Sequence, residues 1–171
     1  MIGIFRLNDI IDLPLIDRIS AQRLSTIKDV IIDLREKRVY ALVCKERLFK
    51  RSLEAVPFRN VTSITLNGVE MNSKTSLISL RELSVKYRRF QCCQNIVGKM
   101  VLSSRGETLG IIRDILIDEE SGVIKAYELS DGYIDDFLRG RYIIELDFGH
   151  TIGGKNAELK EYSVQCFLNG K

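Results

Sequence analysis

Short apolar runs separated by polar turns dominate the chain, and their spacing is typical of β-strands. Val30 and Ile32 fall on one face of an extended segment. The residues on the other face are Asp29, Ile31 and Asp33. Because side chains alternate between the two faces of a strand, this grouping predicts a half-buried strand with one face in a core.

Two longer hairpins follow from this pattern. Residues 34–37 turn the first strand into a return strand at Val39–Cys44. In the second half, Asp118–Gly122 is the turn before a return strand at Val123–Leu129. Gly122 supports this turn because glycine adopts a positive φ at little cost.

A shorter hairpin is predicted where Asn67-Gly68 joins Val61–Leu66 to Val69–Met71, since Asn-Gly favours a two-residue hairpin turn. Each half thus holds about six short strands. This density favours a small barrel, because closing a sheet removes its exposed edges. Helices are expected to be scarce.

The same pattern occurs twice along the chain, in the same order. Offsets of 85 to 88 residues separate the matching segments, and small insertions in surface connections account for the drift. The matching pairs are Lys28–Asp33 with Arg113–Asp118, Ile11–Asp17 with Val97–Ser103, Val56–Phe58 with Ile144–Leu146, and Asn67–Met71 with Lys155–Leu159. The sequence therefore predicts two copies of one domain.

The boundaries of the copies follow from a segment of different character. Residues 74–90 are predicted to form a short helical linker, since their large apolar residues fall three and four positions apart. The first domain is then 1–73, and the second domain, with a C-terminal extension, is 91–171. The apolar linker positions are Leu77, Leu80, Leu83 and Tyr87.

Composition is that of a folded protein, with 45% hydrophobic and 29% charged residues. The apolar runs are too short for a transmembrane helix, and the N-terminus lacks the regions of a secretory signal, so we expect a cytoplasmic protein. Charge is uneven: residues 1–89 carry 17 Lys/Arg against 10 Asp/Glu, or +7, and residues 90–171 carry 9 against 13, or −4. The basic half could attract nucleic acid or an acidic protein, or dock on the acidic half.

Candidate chemistry is sparse. The four cysteines, Cys44, Cys92, Cys93 and Cys166, have no C-x-x-C spacing, and His150 is the one histidine. We therefore expect reduced thiols, with no metal and no cofactor. The Asp at the same place in each copy, Asp29 and Asp114, could be imagined as a catalytic pair. Repetition favours instead a structural carboxylate that accepts turn hydrogen bonds in each copy.

Strands and glycine turns of the second copy carry a family resemblance. They are Val97–Val101, Gly106–Gly110, Arg113-Asp114, Ile117-Asp118 with Gly122, and Leu138–Ile144. In these residues the chain resembles the PRC-barrel family, named for the cytoplasmic domain of the photosynthetic reaction-centre H subunit. The first copy lacks the glycines at residues 20–25 and in its hairpin turn, so its turns are expected to differ.

The resemblance implies a mainly β fold of two tandem small barrels without catalytic residues. It also implies contacts with proteins: the ribosome maturation factor RimM uses such a domain to bind a small-subunit ribosomal protein, and short members similar to the YlmC/YmxH group are linked to sporulation. We therefore expect a non-catalytic adaptor that binds an unidentified protein partner through its barrel connections. The alternative is an RNA-associated or ribosome-assembly factor resembling RimM.

Candidate contact residues lie in connections between strands. Residues 131–141 combine aromatic, aliphatic and basic side chains at helical spacing, which are types enriched in interface cores. A lid that closes the end of the barrel is the other explanation. The candidates are Tyr133, Ile134, Phe137, Leu138, Arg139 and Arg141, with Leu48 and Phe49 at the corresponding place in the first copy. Weaker candidates for RNA binding are Lys86, Arg88 and Arg89, which a solvated linker helix would explain equally well.

Overall fold

Contacts between residues divide the chain into two compact units. The structure, a computed structural model, describes residues 3–45, 53–73, 77–81, 90–102, 106, 108–130, 141–145, 151–153, 156–158 and 163–167. The first unit contains residues 1–93 together with residues 117–123, the end of a hairpin from the second half of the chain. The second unit contains residues 94–116 and 124–171.

The first unit is built almost entirely from strands. One helical turn, α1 (Leu7–Ile10), buries Leu7 and Ile10 completely, and a 3₁₀ turn covers Phe58–Asn60. The strands are β1 (Ile4–Arg6), β2 (Pro14–Asp17), β3 (Gln22–Asp33), β4 (Arg38–Cys44), β5 (Glu54–Pro57), β6 (Val61–Thr65), β7 (Gly68–Met71), β8 (Ile78–Ser79) and β9 (Phe90–Cys92).

Seven of these strands form a path in the order β6-β7-β2-β3-β4-β5-β8, and β9 pairs with β3 beside it. Most neighbours are antiparallel, but β2 and β7 are parallel, with Leu15 opposite Val69. The long strand β3 takes part in both halves of the path, because its start pairs with β2 and its end with β4.

The second unit repeats this order. Its strands are β10 (Met100–Leu102), β11 (Thr108–Asp118), β12 (Ile124–Ser130), β13 (Arg141–Glu145), β14 (Thr151–Gly153), β15 (Asn156–Glu158) and β16 (Ser163–Phe167), and the last two residues of β11 belong to the first unit. The path is β14-β15-β10-β11-β12-β13-β16, and β10 and β15 are again parallel. The prediction of a mainly β fold is confirmed.

Individual hydrogen bonds recur at the offsets found in the sequence. The N–H of Asp12 donates to the carbonyl of Ile27 at 2.9 Å, and the N–H of Gly98 donates to the carbonyl of Ile112 at 2.8 Å. These pairs are 86 and 85 residues apart in the sequence. The two halves therefore share backbone detail as well as apolar pattern.

The turns of the first half adopt the left-handed backbone conformation at the same positions as the turns of the second half. The prediction that the turns differ is therefore wrong. Three non-glycine residues of the first half have positive φ, each at the position where the second half has glycine. Such residues cost about 1 to 2 kcal/mol each, which surrounding contacts must offset. The pairs are Asp12 (φ 68°) with Gly98 (φ 88°), Ala21 (φ 55°) with Gly106 (φ 81°), and Lys37 (φ 50°) with Gly122 (φ 68°).

Strand β3 is buried on both faces, which corrects the expectation of a half-buried strand. Val30 and Ile32 are fully buried, and Ile31, on the opposite face, is only 5% exposed. That second face carries a cluster of Ile31, Ala41, Val43 and Ala55, and partly buried side chains pack against it. These covering side chains are Tyr40, Ile78, Leu80, Phe90 and Cys92.

The cover comes largely from the segment predicted as a helical linker, which begins as a strand. Ile78 and Ser79 form β8 and pair with Ala55 and Glu54, and the helical conformation begins only at Leu80. Residues 82–89 lie outside the described residues. In the first path the last strand is β8, next to β5, and in the second path the last strand is β16, next to β13. The start of the linker and the C-terminal tail therefore each supply the last strand of a sheet.

The predicted hairpins form, with one difference in register. Residues 34–37 and 119–121 are turns as expected, but the short hairpin turns at Leu66-Asn67, since Thr65 pairs with Gly68. Gly68 is the first residue of β7, where an added Cβ would lie 3.0 Å from the carbonyl oxygen of Pro14 on β2. The glycine permits close approach of two strands instead of forming the turn.

We predict that two glycine substitutions will differ in cost. Gly98→Ala meets nothing within 4 Å and adds only positive-φ strain, so it should lower the free energy of unfolding by about 1 to 2 kcal/mol. Gly122→Ala would also place its Cβ 2.6 Å from Cε1 of Phe58, which raises the expected cost to about 2 to 4 kcal/mol. Urea unfolding monitored by circular dichroism measures both. Equal costs would contradict the close packing of Gly122 on Phe58.

Candidate functional site

The buried carboxylates that the repeat brings to equivalent positions are occupied by backbone donors. Asp29 accepts the N–H of Val30 at 2.7 Å, and Asp114 accepts the N–H of Ile115 at the same distance. Both lie within long strands, not in turns as predicted, and both are less than 10% exposed. Each carboxylate thus accepts a backbone hydrogen bond within its own strand.

Turn hydrogen bonds are instead accepted by the aspartates that end these strands. Asp33 accepts the N–H groups of Arg35 and Glu36 at 3.0 and 3.2 Å. Asp118 accepts both the N–H and the hydroxyl of Ser121, at 2.8 and 2.6 Å. These bonds fix the two hairpin turns and so place the side chains at their tips.

The first unit contains a cleft of about 470 Å³. Three connections contribute its walls: the β3–β4 turn, the 3₁₀ turn after β5, and the hairpin end at residues 117–123. The lining residues are Asp33, Glu36, Arg38, Val39, Tyr40, Pro57, Phe58, Arg59, Glu120 and Ser121. Its volume lies in the range of ligand sites, roughly 300 to 1,000 Å³.

Direct hydrogen bonds hold the hairpin end against β4. The N–H of Val39 donates to the carbonyl of Gly122 at 2.8 Å, and Nη2 of Arg38 donates to the carbonyl of Ser121 at 2.6 Å. The ring of Phe58 packs so closely on Gly122 that no side chain fits between them. The position of this wall is therefore determined by contacts on two sides.

The floor of the cleft is apolar and fixed. Val39 and Phe58 are 2% and 7% exposed. The ring of Tyr40 stacks on the ring of Phe90, with centroids 4.2 Å apart and planes 24° apart. A stacked ring loses little further freedom when a ligand packs beside it.

The rim is charged and mostly unpaired. The side chains of Glu36, Arg59 and Glu120 are exposed and make no hydrogen bond or ion pair with a described residue. Arg38, by contrast, uses part of its guanidinium on the Ser121 carbonyl. The groups free to meet a ligand are thus two carboxylates and one guanidinium.

Next to this site, Cys92 has an unusual environment. It lies opposite Ile31 in the β3–β9 pair, and its thiol donates a hydrogen bond to the Asp29 carboxylate. Burial, followed by the charge of Asp29 and this hydrogen bond, raises the pKa of Cys92 from 9.0 to about 11. The thiol is therefore protonated at neutral pH and is a poor nucleophile, since the thiolate is the reactive form.

The residues predicted from the sequence to contact a partner fall almost entirely outside the described residues. The partner-contact candidates outside the described residues are Tyr133, Ile134, Phe137, Leu138, Arg139, Leu48 and Phe49. His150 and the RNA-binding candidates Lys86, Arg88 and Arg89 also lie outside them. Arg141 is the first residue of β13. The two candidate surfaces therefore stay predictions.

The cleft was missed because its lining residues come from distant parts of the sequence. Residues 33–40, 57–59 and 120–121 each read as an ordinary turn or strand end. One signal was available: both hairpin turns carry an exposed glutamate near the tip, at Glu36 and Glu120. No local pattern indicates that these tips meet.

None of the described helices is long and apolar enough to cross a membrane. Within the same residues, no group of three or more His, Cys, Asp or Glu side chains is arranged to hold a metal ion. None of the described cysteines, Cys44, Cys92 and Cys93, is in a disulfide.

We predict that the stability contributed by Cys92 is lost at alkaline pH. The folded pKa of about 11 lies above the ordinary 9.0, so folding favours the neutral thiol. This contribution is complete below pH 9 and disappears as the pH rises toward 11. The free energy of unfolding of the wild type, relative to Cys92→Ala, should therefore fall across this range. A constant difference from pH 8 to 11 would contradict the burial of the thiol beside Asp29.

Comparison with known proteins agrees with the repeated topology. The sequence pattern that defines the PRC-barrel domain matches residues 2–81 and again residues 93–161. A Bacillus subtilis (strain 168) protein, described as uncharacterized protein YrrD, is 23% identical over 133 residues, which cover 77% of this chain and 73% of that protein. The two matched regions span most of the sequence. The chain belongs to the PRC-barrel family.

Proposed function

We propose that the protein is a non-catalytic module that binds a partner protein through the connections between its strands. The observation that carries this proposal is the cleft of the first unit, because three separate connections form its walls. Connections are the part of a rigid scaffold that tolerates change, and binding sites are commonly built there. A fixed aromatic floor with a charged rim is suited to recognising a protein segment.

The use of the buried polar groups supports a binding role over catalysis. Asp17, Asp33 and Asp118 are buried and accept backbone N–H groups of their own turns. Cys92 is held as a neutral thiol. Membership of the PRC-barrel family, which is generally non-enzymatic, points the same way.

We predict that reversing charges on the rim will remove the partner. In Arg59→Glu/Glu120→Lys both residues are exposed and lack described partners, so the fold should be retained while complementarity at the cleft is lost. The tagged full-length variant is purified from its native cells, and co-purified proteins are quantified by mass spectrometry. The amount of captured partner should fall about tenfold or more, as expected for a loss of about 1.4 kcal/mol of binding free energy.

The matched control is Arg35→Glu/Asp9→Lys, which reverses one charge of each sign at exposed positions that do not line the cleft. The control should capture the partner as the wild type does. A parallel variant, Tyr133→Ser/Phe137→Ser, tests the connection at 131–141, and loss of capture is expected there if the partner also spans that segment. Partners retained in the cleft variant at wild-type levels would refute binding at the cleft.

A further inference from the structure

We propose that the cleft of the first unit accepts an arginine side chain from the partner protein. This inference rests on the proposed function and adds the chemistry of the contact. The stem of the arginine would pack on the apolar floor, and its guanidinium would lie between the Glu36 and Glu120 carboxylates.

The charges of the residues that line the cleft determine the sign of the charge that its ligand should carry. The cleft contains three carboxylates, at Asp33, Glu36 and Glu120, and two guanidinium groups, at Arg38 and Arg59. Arg38 already donates to the Ser121 carbonyl, and Asp33 accepts two turn N–H groups. The remaining free groups carry a net charge of −1. A phosphate or carboxylate ligand would therefore meet more repulsion than attraction, whereas a cation would be attracted.

The shape and composition of the floor favour arginine over lysine. Tyr40, Pro57 and Phe58 present two aromatic rings and a proline ring to the cleft. A guanidinium is planar, stacks on aromatic rings and donates to two carboxylates at once, while an ammonium is a compact, strongly hydrated charge. Two carboxylates from different connections give the guanidinium a partner on more than one edge.

Arg59 has a separate part in this arrangement. It comes from the 3₁₀ turn after β5 and is exposed without a described partner. It can donate to a backbone carbonyl or an acidic neighbour on the same partner segment, which would orient that segment over the cleft. The site then recognises an arginine within a peptide more strongly than a free cation.

The cleft is also prepared for binding, which limits the entropy lost. The stack of Tyr40 on Phe90 fixes one side, and the bonds from Val39 and Arg38 to residues 121–122 fix another. A preorganised site loses less free energy to ordering than a flexible one. Only the exposed glutamate and arginine side chains of the rim need to be ordered by the ligand.

The test uses the capped amino acid N-acetyl-arginine methylamide, with the full-length ¹⁵N-labelled protein in low salt. Backbone amides of Glu36, Val39, Tyr40 and Ser121 should shift on titration, with a Kd of about 1 to 10 mM, as expected for so small a ligand. The neutral analogue N-acetyl-citrulline methylamide has nearly the same shape. It should bind at least about threefold more weakly, because it lacks the charge.

Matched variants separate the cleft from the rest of the surface. Glu36→Gln and Glu120→Gln should each weaken binding by about threefold, a typical effect of one exposed ion pair, and the double variant should weaken it further. Glu119→Gln, at the neighbouring position of the same turn but not lining the cleft, should bind as the wild type does. Unchanged thermal unfolding of all four variants verifies the fold.

Two results would overturn the inference: citrulline binding as tightly as arginine, or equal loss in Glu119→Gln and Glu120→Gln. Either result would leave the proposed function intact if partner capture still depends on Arg59 and Glu120. Wild-type capture by the Arg59→Glu/Glu120→Lys variant would instead refute partner binding at the cleft, whatever the arginine analogue does. The two failures are therefore distinguishable.

Discussion

Burial of the long strand β3 on both faces is the constraint on which the rest of the first unit depends. A β-strand often has one face exposed to solvent, but here Val30 and Ile31, on opposite faces of β3, are both buried. The outer apolar cluster must be covered, and residues 78–80 and 90–92 cover it. Because Phe90 belongs to this cover, its ring meets Tyr40, and that contact fixes one side of the cleft.

Double burial also explains the polar groups beneath the cover. Asp29 lies on the outer face of β3 and would be an uncompensated charge if it had no donors. The Val30 N–H and the Cys92 thiol both donate to its carboxylate. The pKa of Cys92 is raised mainly by burial, and the charge of Asp29 and the hydrogen bond to it add to this effect.

The sequence allowed prediction of what local patterns determine. Alternation and repetition identified the strands, both long hairpins and the 85- to 88-residue offsets, since strand periodicity and turn chemistry are encoded within a few residues. The helical linker was predicted from the three- and four-residue spacing of Leu77 and Leu80, yet Ile78 and Ser79 pair with β5. Tertiary pairing there outweighs a weak helical preference.

Long-range contacts determine what could not be predicted. Ala21 and Lys37 have no sequence signal for positive φ, and their conformation is understood only because glycine stands at the equivalent positions of the other half. Gly68 resembles a turn residue but serves the close approach of β2 and β7. The cleft was missed for a similar reason, because Glu36 and Glu120 are 84 residues apart and meet only through the Val39 and Arg38 bonds to the hairpin end.

The balance of forces in the cleft fits recognition by many modest contacts. Each exposed ion pair on the rim contributes only about 0 to 1 kcal/mol, because water screens it. The apolar floor could contribute more, since an aliphatic stem packed on Tyr40, Pro57 and Phe58 would bury apolar surface. In the proposed site, charge would select which side chain enters, and apolar contact would determine how long it stays bound. A partner bound in this way would dissociate readily unless further contacts outside the cleft extended the interface.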